Sequence, residues 1–565
     1  WSYAFDFGQS GYERDWQNSA GFDGYITVPF CPESRLSGVA YTDFIPEIWY
    51  QRTVVIPAEW AEKKVIFHCG GIDYYSEIYI DGVLGGQHTG GCSPIEWDIT
   101  SLVKPGTTQN IVIRAKDDLR SGIQAFGKQS PWYKSKRCNY TRTTGIWQTP
   151  WLEAVHPSGL HNCKITPDFD GGAFAFTPLF YEATRGCQLN IRILDRGTVV
   201  AETTGAAANG VTRTLSLATP HAWSPSDPYL YEIEFKVIDE NGNVIDAVSS
   251  YAGLRKFHVE GDKIYLNNER IYLRFVLDQG FYPEGIWTAP SDEDLKKDIE
   301  LSMAAGFNGA RLHQKVFESR FHYWADKLGY LTWSEFSDWG IGFWCHFTKN
   351  PGNYFQAFRD YLSQWTAVVQ DKVNHPSIIA WSPFNETSGY YDYEEHKRIM
   401  RDVYDLTKAI DPSRPVNETS GYVHVKTDLW TAHNYTEAAD KLKEAMDTEP
   451  IWCNAPDTEL QFYNGQPYIL DEWGGVRYLP EGSKPFADNS WGYGNTAMTA
   501  DKALERIDSV AKVLVEHPKL QGYCYTQLTD IEQEQNGVYN YDRTPKFDAE
   551  KLSAIFNARP EWSRW

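Results

Sequence analysis

Short runs of β-branched and aromatic residues, each closed by Gly, Pro or Asp, fill the chain from residue 1 to about 155. WYQRTVVIP (49–57), KVIFHCG (64–70), SEIYIDG (76–82) and NIVIRAKDD (110–118) are of this kind. Runs of that length between turn residues read as strands. No stretch of helical period interrupts them, so residues 1–155 predict a jelly-roll β-sandwich. The pattern returns on a smaller scale over 156–260, where LNIRILD, RTLSLA and YLYEIEFKVID alternate and DENGN (239–243) is a hairpin turn. That stretch predicts an immunoglobulin-like sandwich, a fold of ~100 residues.

A second turn at Asn267-Asn268, inside GDKIYLNNERIYLRFV (261–276), leads into a different grammar. Ser291 caps SDEDLKKDIELSMAAG, with Leu295, Ile299 and Met303 on one face and Gly306 as the stop. Phe321, Trp324 and Leu328 form a second helical stripe, and Ile399, Val403, Leu406 and Ile410 a third. Between such helices lie eight candidate strands: IYLRFVL (271–277), FNGARLH (307–313), YLTWSEF (330–336), SIIAWSPF (377–384), PVNETS (415–420), DLWTAHN (428–434), YILDEW (468–473) and GYCYTQL (522–528). Eight strand–helix repeats predict a (β/α)8 barrel over 261–565. PVNETS, short and polar, is the weakest of them.

A barrel presents its reactive groups at the C-terminal ends of its strands. Arg311 and His313 then end the second strand, Glu335 the third, Asn385 and Glu386 the fourth, His433 and Asn434 the sixth, Asp471 and Glu472 the seventh. A single Glu at a strand end is more often a surface group or half of a salt bridge. Two of them, each just past an apolar run, are costly unless they have work or partners. Cleavage of a glycosidic bond uses such a pair, one acid to protonate the leaving oxygen and one carboxylate to attack the anomeric carbon or activate water.

Composition narrows the partners. A chain of 565 residues exceeds one hydrophobic core, and 42% hydrophobic with 23% charged residues is ordinary for a folded protein. A formal charge of −22 argues against nucleic acid and against an anionic membrane surface. No apolar run approaches the roughly 18 residues of a spanning helix. The nine cysteines are scattered, without metal-ligand spacing, and their odd number leaves at least one thiol free or paired between chains. This favours a reducing, cytoplasmic setting, while a start at Trp1 keeps a trimmed leader and export open. An aromatic content of 15%, with 22 Trp, suits stacking on sugar rings, although large β-proteins also bury Trp.

The run NHPSIIAWSPFNE (374–386) closely resembles the acid/base signature of glycoside hydrolase family 2, the β-galactosidase and β-glucuronidase family. The resemblance extends over nearly the whole chain. WYQRTVVIP and TTGIWQTPWLE (143–153) look like the family's sugar-binding sandwich. HAWSPSDPYLY (221–231) and YAGLRKF (251–257) look like its immunoglobulin-like domain. FNGARLHQKVFESRFHYWADKLGYLTWSE (307–335) resembles its second and third barrel strands, and YILDEWGG (468–475) the nucleophile strand.

The resemblance implies that Glu386 is the acid/base and Glu472 the nucleophile. Asn385 then bonds the sugar 2-hydroxyl, and Arg311 holds the nucleophile ionised. Asp278, His433, Asn434, Tyr435 and Trp473 become candidate substrate contacts. Asn385-Glu386-Thr387 is also an N-x-Thr sequon, but a glycan there would block the pocket. The sequons at Asn139, Asn417 and Asn434 are open to the same reading.

Three departures bear on the sugar. After Arg311 the chain has His313-Gln314-Lys315 in place of the His-Tyr-Pro familiar in β-galactosidases. Strand 8 ends on Tyr525, Thr526 and Gln527 without the common Trp. EQEQNGVYNYDRTPK (532–546) holds no convincing counterpart of the Asn-x-Lys with which glucuronidases of the family grip a uronate. Lys315, Arg477, Arg543 and Lys546 are the cations left for such a carboxylate, and Trp339, Trp344, Trp473 and Trp491 could wall the pocket.

The expectation is an exo-acting retaining β-glycosidase, β-galactosidase-like in preference to β-glucuronidase or β-galacturonidase. Its partner is a carbohydrate, it uses no redox cofactor, and it has no convincing metal ligands. A homo-oligomer stays open. The rival from another class is a non-catalytic carbohydrate-binding protein on an inactive barrel, which would have lost one of the two carboxylates. Transfer to an acceptor sugar in place of water is a third outcome.

Overall fold

The computed structural model describes residues 1–341, 351–387, 393–448, 451–454 and 463–565, with the side chains of 351–355 and 393 excepted. Trp344 and Cys345 lie outside the described residues. Cys31, Cys69, Cys92, Cys138, Cys163, Cys187 and Cys524 are free thiols. No helix among the described residues is long and apolar enough to cross a membrane.

The N-terminal region packs a six-stranded antiparallel sheet on a three-stranded one. Glu47–Val55 and Thr108–Lys116 pair along their full length at the centre of the larger sheet. Ile48, Tyr50, Val65, Phe67, Ile78 and Ile113 fill the space between the sheets. A second sandwich follows, with strands 160–168, 173–180 and 213–216 facing a four-stranded sheet. In Tyr231–Ile238 buried and more open positions alternate, the period-two signature of a strand with one face on a core. Asn267 and Asn268 both adopt left-handed backbone (φ 53° and 64°), as the hairpin turn read there requires.

The barrel strands are β1 Leu273–Asp278, β2 Gly309–Leu312, β3 Leu331–Glu335, β4 Ile378–Ser382, β5 Thr419–Ser420, β6 Trp430–Asn434, β7 Tyr468–Gly474 and β8 Leu520–Thr526. Seven of them form one parallel sheet in the order β4-β3-β2-β1-β8-β7-β6. The eighth, β5, pairs with Phe384–Asn385, the continuation of β4. The ring closes between β5 and β6 through the Thr431 hydroxyl, which accepts from Gly421 N at 2.9 Å and donates to Thr419 O at 3.4 Å.

Among the described residues seven helices accompany these strands, from α1 Asp292–Ala305 and α2 Ser319–Leu328 to α7 Ala549–Phe556. All eight expected strands are present in the barrel, and one connection is plain: the loop 421–429 joins β5 to β6 without a helix. So short a connection cannot hold a useful helix and return to the next parallel strand. Helix α1 begins and ends as read, with Ser291 Oγ accepting from Asp294 N and Gly306 at φ 105°. Met303, expected on its inner face, is exposed.

One feature of the sandwich positions the site. Between Lys116 and Gly145 the chain leaves its sheets and lies across the barrel mouth. Phe126 N and Gly127 N donate to Trp339 O at 2.7 and 3.2 Å, and Tyr140 Oη donates to Glu534 Oε2 at 2.5 Å.

Candidate active site

Strand β4 ends at Ser382, bends at Pro383 and runs on beside β5, so that Glu386 N donates to Ser420 O at 2.9 Å. This holds Glu386 in left-handed backbone (φ 56°), a conformation a non-glycine residue adopts at some cost and most often at functional sites. On β7 the register against β8 shifts between Leu470 and Trp473. A bulge of this kind re-aims side chains. It lets Asp471 and Glu472 both reach into the mouth.

The two carboxylates of Glu386 and Glu472 meet at His433, and one oxygen of each lies with the imidazole nitrogen inside a group no more than 4.8 Å across. His433 Nδ1 is 2.9 Å from Glu386 Oε1 and 3.3 Å from Glu472 Oε2. Arg311, wholly buried, donates to Glu472 Oε1, to Glu335 Oε2 at 2.8 Å and to Asn385 Oδ1 at 3.3 Å. Tyr435 Oη donates to Glu472 Oε2 at 2.5 Å. Burial pushes the Glu472 carboxyl up, but His433, Arg311, the Tyr435 hydroxyl and Lys128 outweigh it and hold it below the ordinary value. Around Arg311 the balance differs. Burial lifts Glu335 to about 7 despite that guanidinium.

Asn385 is fully buried, and its Nδ2 has no acceptor among the described residues. Such an orphan donor beside a carboxylate pair is satisfied when a ligand brings an oxygen to it. Asp278 ends β1 with Oδ1 accepting from Gly280 N at 2.9 Å, and burial raises its carboxyl to about 7. Asn434 Oδ1 accepts from Thr436 N at 3.0 Å. Trp473 is brought elsewhere. Its indole points away from the mouth and packs on Tyr523, Tyr525 and Phe556 in the layer between strands and helices. The asparagines of the four sequons, Asn139, Asn385, Asn417 and Asn434, are all buried.

Glu386, His433 and Glu472 are also the set among the described residues whose donor atoms one metal ion could bridge. An ion there would take up the oxygens of both carboxylates, and the Arg311 contact already supplies Glu472 with positive charge.

Three family models match in the order of the three structural units. The sugar binding domain of glycosyl hydrolases family 2 matches residues 26–121, the central family 2 domain 161–255, and its TIM barrel domain 257–484. The chain belongs to glycosyl hydrolase family 2. Among curated relatives, a β-glucuronidase of Paenibacillus borealis is 24% identical over 74% of this chain and 71% of its own length. A β-galactosidase of Lactococcus lactis is 27% identical over 80% of this chain and 40% of its own length. A putative β-glucuronidase of Formosa agariphila is matched over only 48% of its length, so the chain spans under half of these last two relatives. The crystal structure of Ruminococcus gnavus β-glucuronidase superposes with a TM-score of 0.82 at 20% identity, over 99% of this chain and 96% of that one. That likeness speaks to the fold.

Sequence reasoning missed several residues around the family 2 site. Ser420 Oγ donates to Asp471 Oδ2 at 2.6 Å and lies 3.0 Å from His433 Nε2. Asp338 Oδ1 accepts from Asn385 N at 3.1 Å. Lys128, from the segment across the mouth, is buried with its ammonium 3.5 Å over the Trp339 ring. Asp471, already placed at the end of the seventh strand, and Ser420, the last residue of the expected fifth strand, carried a signal in the sequence. The others are joined to the site by chain folding alone.

Proposed function

We propose that this protein is an exo-acting, retaining β-glycosidase that removes a terminal β-linked sugar by double displacement. The observation that carries this reading is the close approach of Glu386 and Glu472, with oxygens inside a 4.8 Å group. Retaining pairs stand ~5–5.5 Å apart, while inverting pairs leave ~6.5–9.5 Å for a water molecule.

Glu472, held ionised by Arg311, His433 and Tyr435, attacks the anomeric carbon as Glu386 gives its proton to the departing oxygen. Water then resolves the glycosyl-enzyme ester. Glu386 takes the water's proton, and Glu472 leaves as a carboxylate. The orphan Asn385 amide donates to the 2-hydroxyl, a contact that strengthens as charge develops at the ring. The segment over the mouth supports end-on entry of a single sugar. A non-catalytic binding protein would have no need of a nucleophile kept ionised by three partners.

A galactoside, a glucuronide and a galacturonide are alike at C1 and differ at C4 and C6, so the carboxylate pair does not choose among them. The sequence reading prefers a galactoside, and the choice among the three falls to the groups that meet C4 and C6.

The test is the stereochemistry of the first product, read by NMR on an aryl β-glycoside, together with Glu472→Gln. The expected results are release of the β-anomer and loss of turnover in a variant with unchanged circular dichroism. Release of the α-anomer would overturn the retaining mechanism, and full turnover by the variant would remove Glu472 from the reaction.

A further inference from the structure

The four cations that the sequence offered for a substrate carboxylate are all engaged. Lys315 Nζ donates to Gly280 O at 2.9 Å and to Trp287 O at 2.7 Å. Arg543 is clamped on Asp298 at 3.0 and 2.9 Å, and Lys546 on Asp530 at 2.8 Å. Arg477 reaches Thr496 Oγ1 at 2.9 Å and Ser490 Oγ at 3.0 Å.

Lys128 is different. It is 5% exposed, it sits on the face of Trp339, and its ammonium has no hydrogen-bond acceptor among the described residues. An ammonium held against a ring face and largely shielded from bulk water gains from an anion brought to its open side, since the ring face alone returns only part of a pair's attraction. The supporting indole leads straight to the carboxylate pair, since Trp339 Nε1 donates to Asn385 O at 3.4 Å. Lys128 is also among the charges that hold the Glu472 carboxyl down.

The loop that carries it is fixed on both sides. Lys128 O accepts from Tyr140 N at 2.7 Å. Its neighbour Gly127 has φ 62°, and a Cβ there would meet Gln314 O at 2.3 Å, so the backbone lies directly on the barrel. Lys128 falls between residues 121 and 161, outside all three stretches that the family models match.

We infer that Lys128 binds the C6 carboxylate of a β-linked uronic acid, so that a residue from outside the barrel selects an acidic sugar at the site. The inference rests on the β-glycosidase reading above and names its substrate class. A neutral hexose brings no charge to pair with this ammonium, whereas a carboxylate makes a short charge-assisted bond with it. The competing role is that of a distant counter-ion to Glu472 and Glu534, both of whose carboxyls it favours in ionised form.

The experiment compares kcat/KM for p-nitrophenyl β-glucuronide against β-glucoside, and β-galacturonide against β-galactoside, in the wild type, Lys128→Met and Lys128→Gln. Within each pair only C6 differs. The wild type should prefer the acidic member of at least one pair. Each variant should lower that acidic-to-neutral ratio by roughly a hundredfold, the scale of breaking a buried charge pair. A wild type that prefers the neutral member of both pairs overturns the inference. So does a ratio that the variants leave unchanged, the counter-ion outcome. If none of the four is cleaved, the glycosidase reading fails and binding decides. Calorimetric binding of free D-glucuronate or D-galacturonate that is lost in Lys128→Met upholds the inference, and its absence in the wild type overturns it.

Discussion

His433 holds its Nδ1 2.9 Å from Glu386 Oε1. Its other nitrogen lies 3.0 Å from Ser420 Oγ and 3.4 Å from Asp471 Oδ1. The Ser420 hydroxyl spends its own hydrogen on Asp471, so it can only accept from the imidazole. The three carboxylates around the ring favour its protonated form. Burial by itself would lower its pKa, but Glu472, Asp471 and Glu386 together raise it.

That charge helps keep Glu472 ionised, and removing it has a signed consequence. In His433→Gln the Glu472 carboxyl should rise toward its ordinary value. The acidic limb of the kcat/KM profile then moves to higher pH, because the nucleophile must be ionised to attack. Loss of a charge-assisted contact should lower kcat/KM roughly ten- to a hundredfold at neutral pH. A profile with an unmoved acidic limb would show that His433 does not act through Glu472.

Arg311 serves two carboxylates in one fork, Glu335 at 2.8 Å and Glu472. Lysine keeps the charge but cannot present two parallel donors to them. Arg311→Lys should lower kcat strongly with a modest loss of stability. Arg311→Met strands two buried anions and should lose about 3–5 kcal/mol. Denaturant unfolding of both variants checks the order. Equal stability of the two would mean that the positive charge carries no part of the effect.

The barrel was legible because its strands are buried on both faces and read as continuous apolar runs, as IIAWS in β4 does. Helix α1 announced itself through Ser291 and Gly306. Strand β5 was hard to see because so little of it is strand. Thr419–Ser420 pairs with the continuation of β4, and the Thr431 side chain does the rest. Lys128 left no trace, since QAFGKQSPW has neither helical nor strand period and gains its place only by lying on Trp339. Trp473 could have been placed correctly. Successive strand residues face opposite sides, so the residue after an inward Glu472 points to the helices.

Trp473 therefore predicts a separation of stability from substrate binding. Its ring is fully buried and meets Tyr525 edge-on at 5.1 Å. Trp473→Leu leaves a cavity and should lose about 2–4 kcal/mol. KM should stay close to the wild-type value, since the side chain does not line the mouth. A large rise in KM with intact stability would put the indole at the substrate after all.

Buried acids set the pH dependence of folding. Burial lifts Glu33, Asp278, Glu335 and Glu534 each to about 7. A carboxyl whose folded pKa lies above its unfolded value binds its proton more tightly when folded. The stability it contributes is complete below the unfolded value, near ~4 for carboxylates. It is lost as pH rises from there through about 7. The thermal midpoint should therefore decline as pH is raised from below to above about 7. Glu33 isolates one share of this, because it lies in the sandwich away from the carboxylate pair. Its Oε2 accepts from Thr144 N at 3.1 Å, while its Oε1 is buried without a partner. Glu33→Gln keeps an acceptor for Thr144 and cannot ionise. It should flatten the decline in stability above pH 6 by about 1–1.5 kcal/mol, the part of the shift that lies above that pH. Unfolding curves at pH 6 and 8 measure it, and a decline as steep as in the wild type would show that Glu33 does not carry its share.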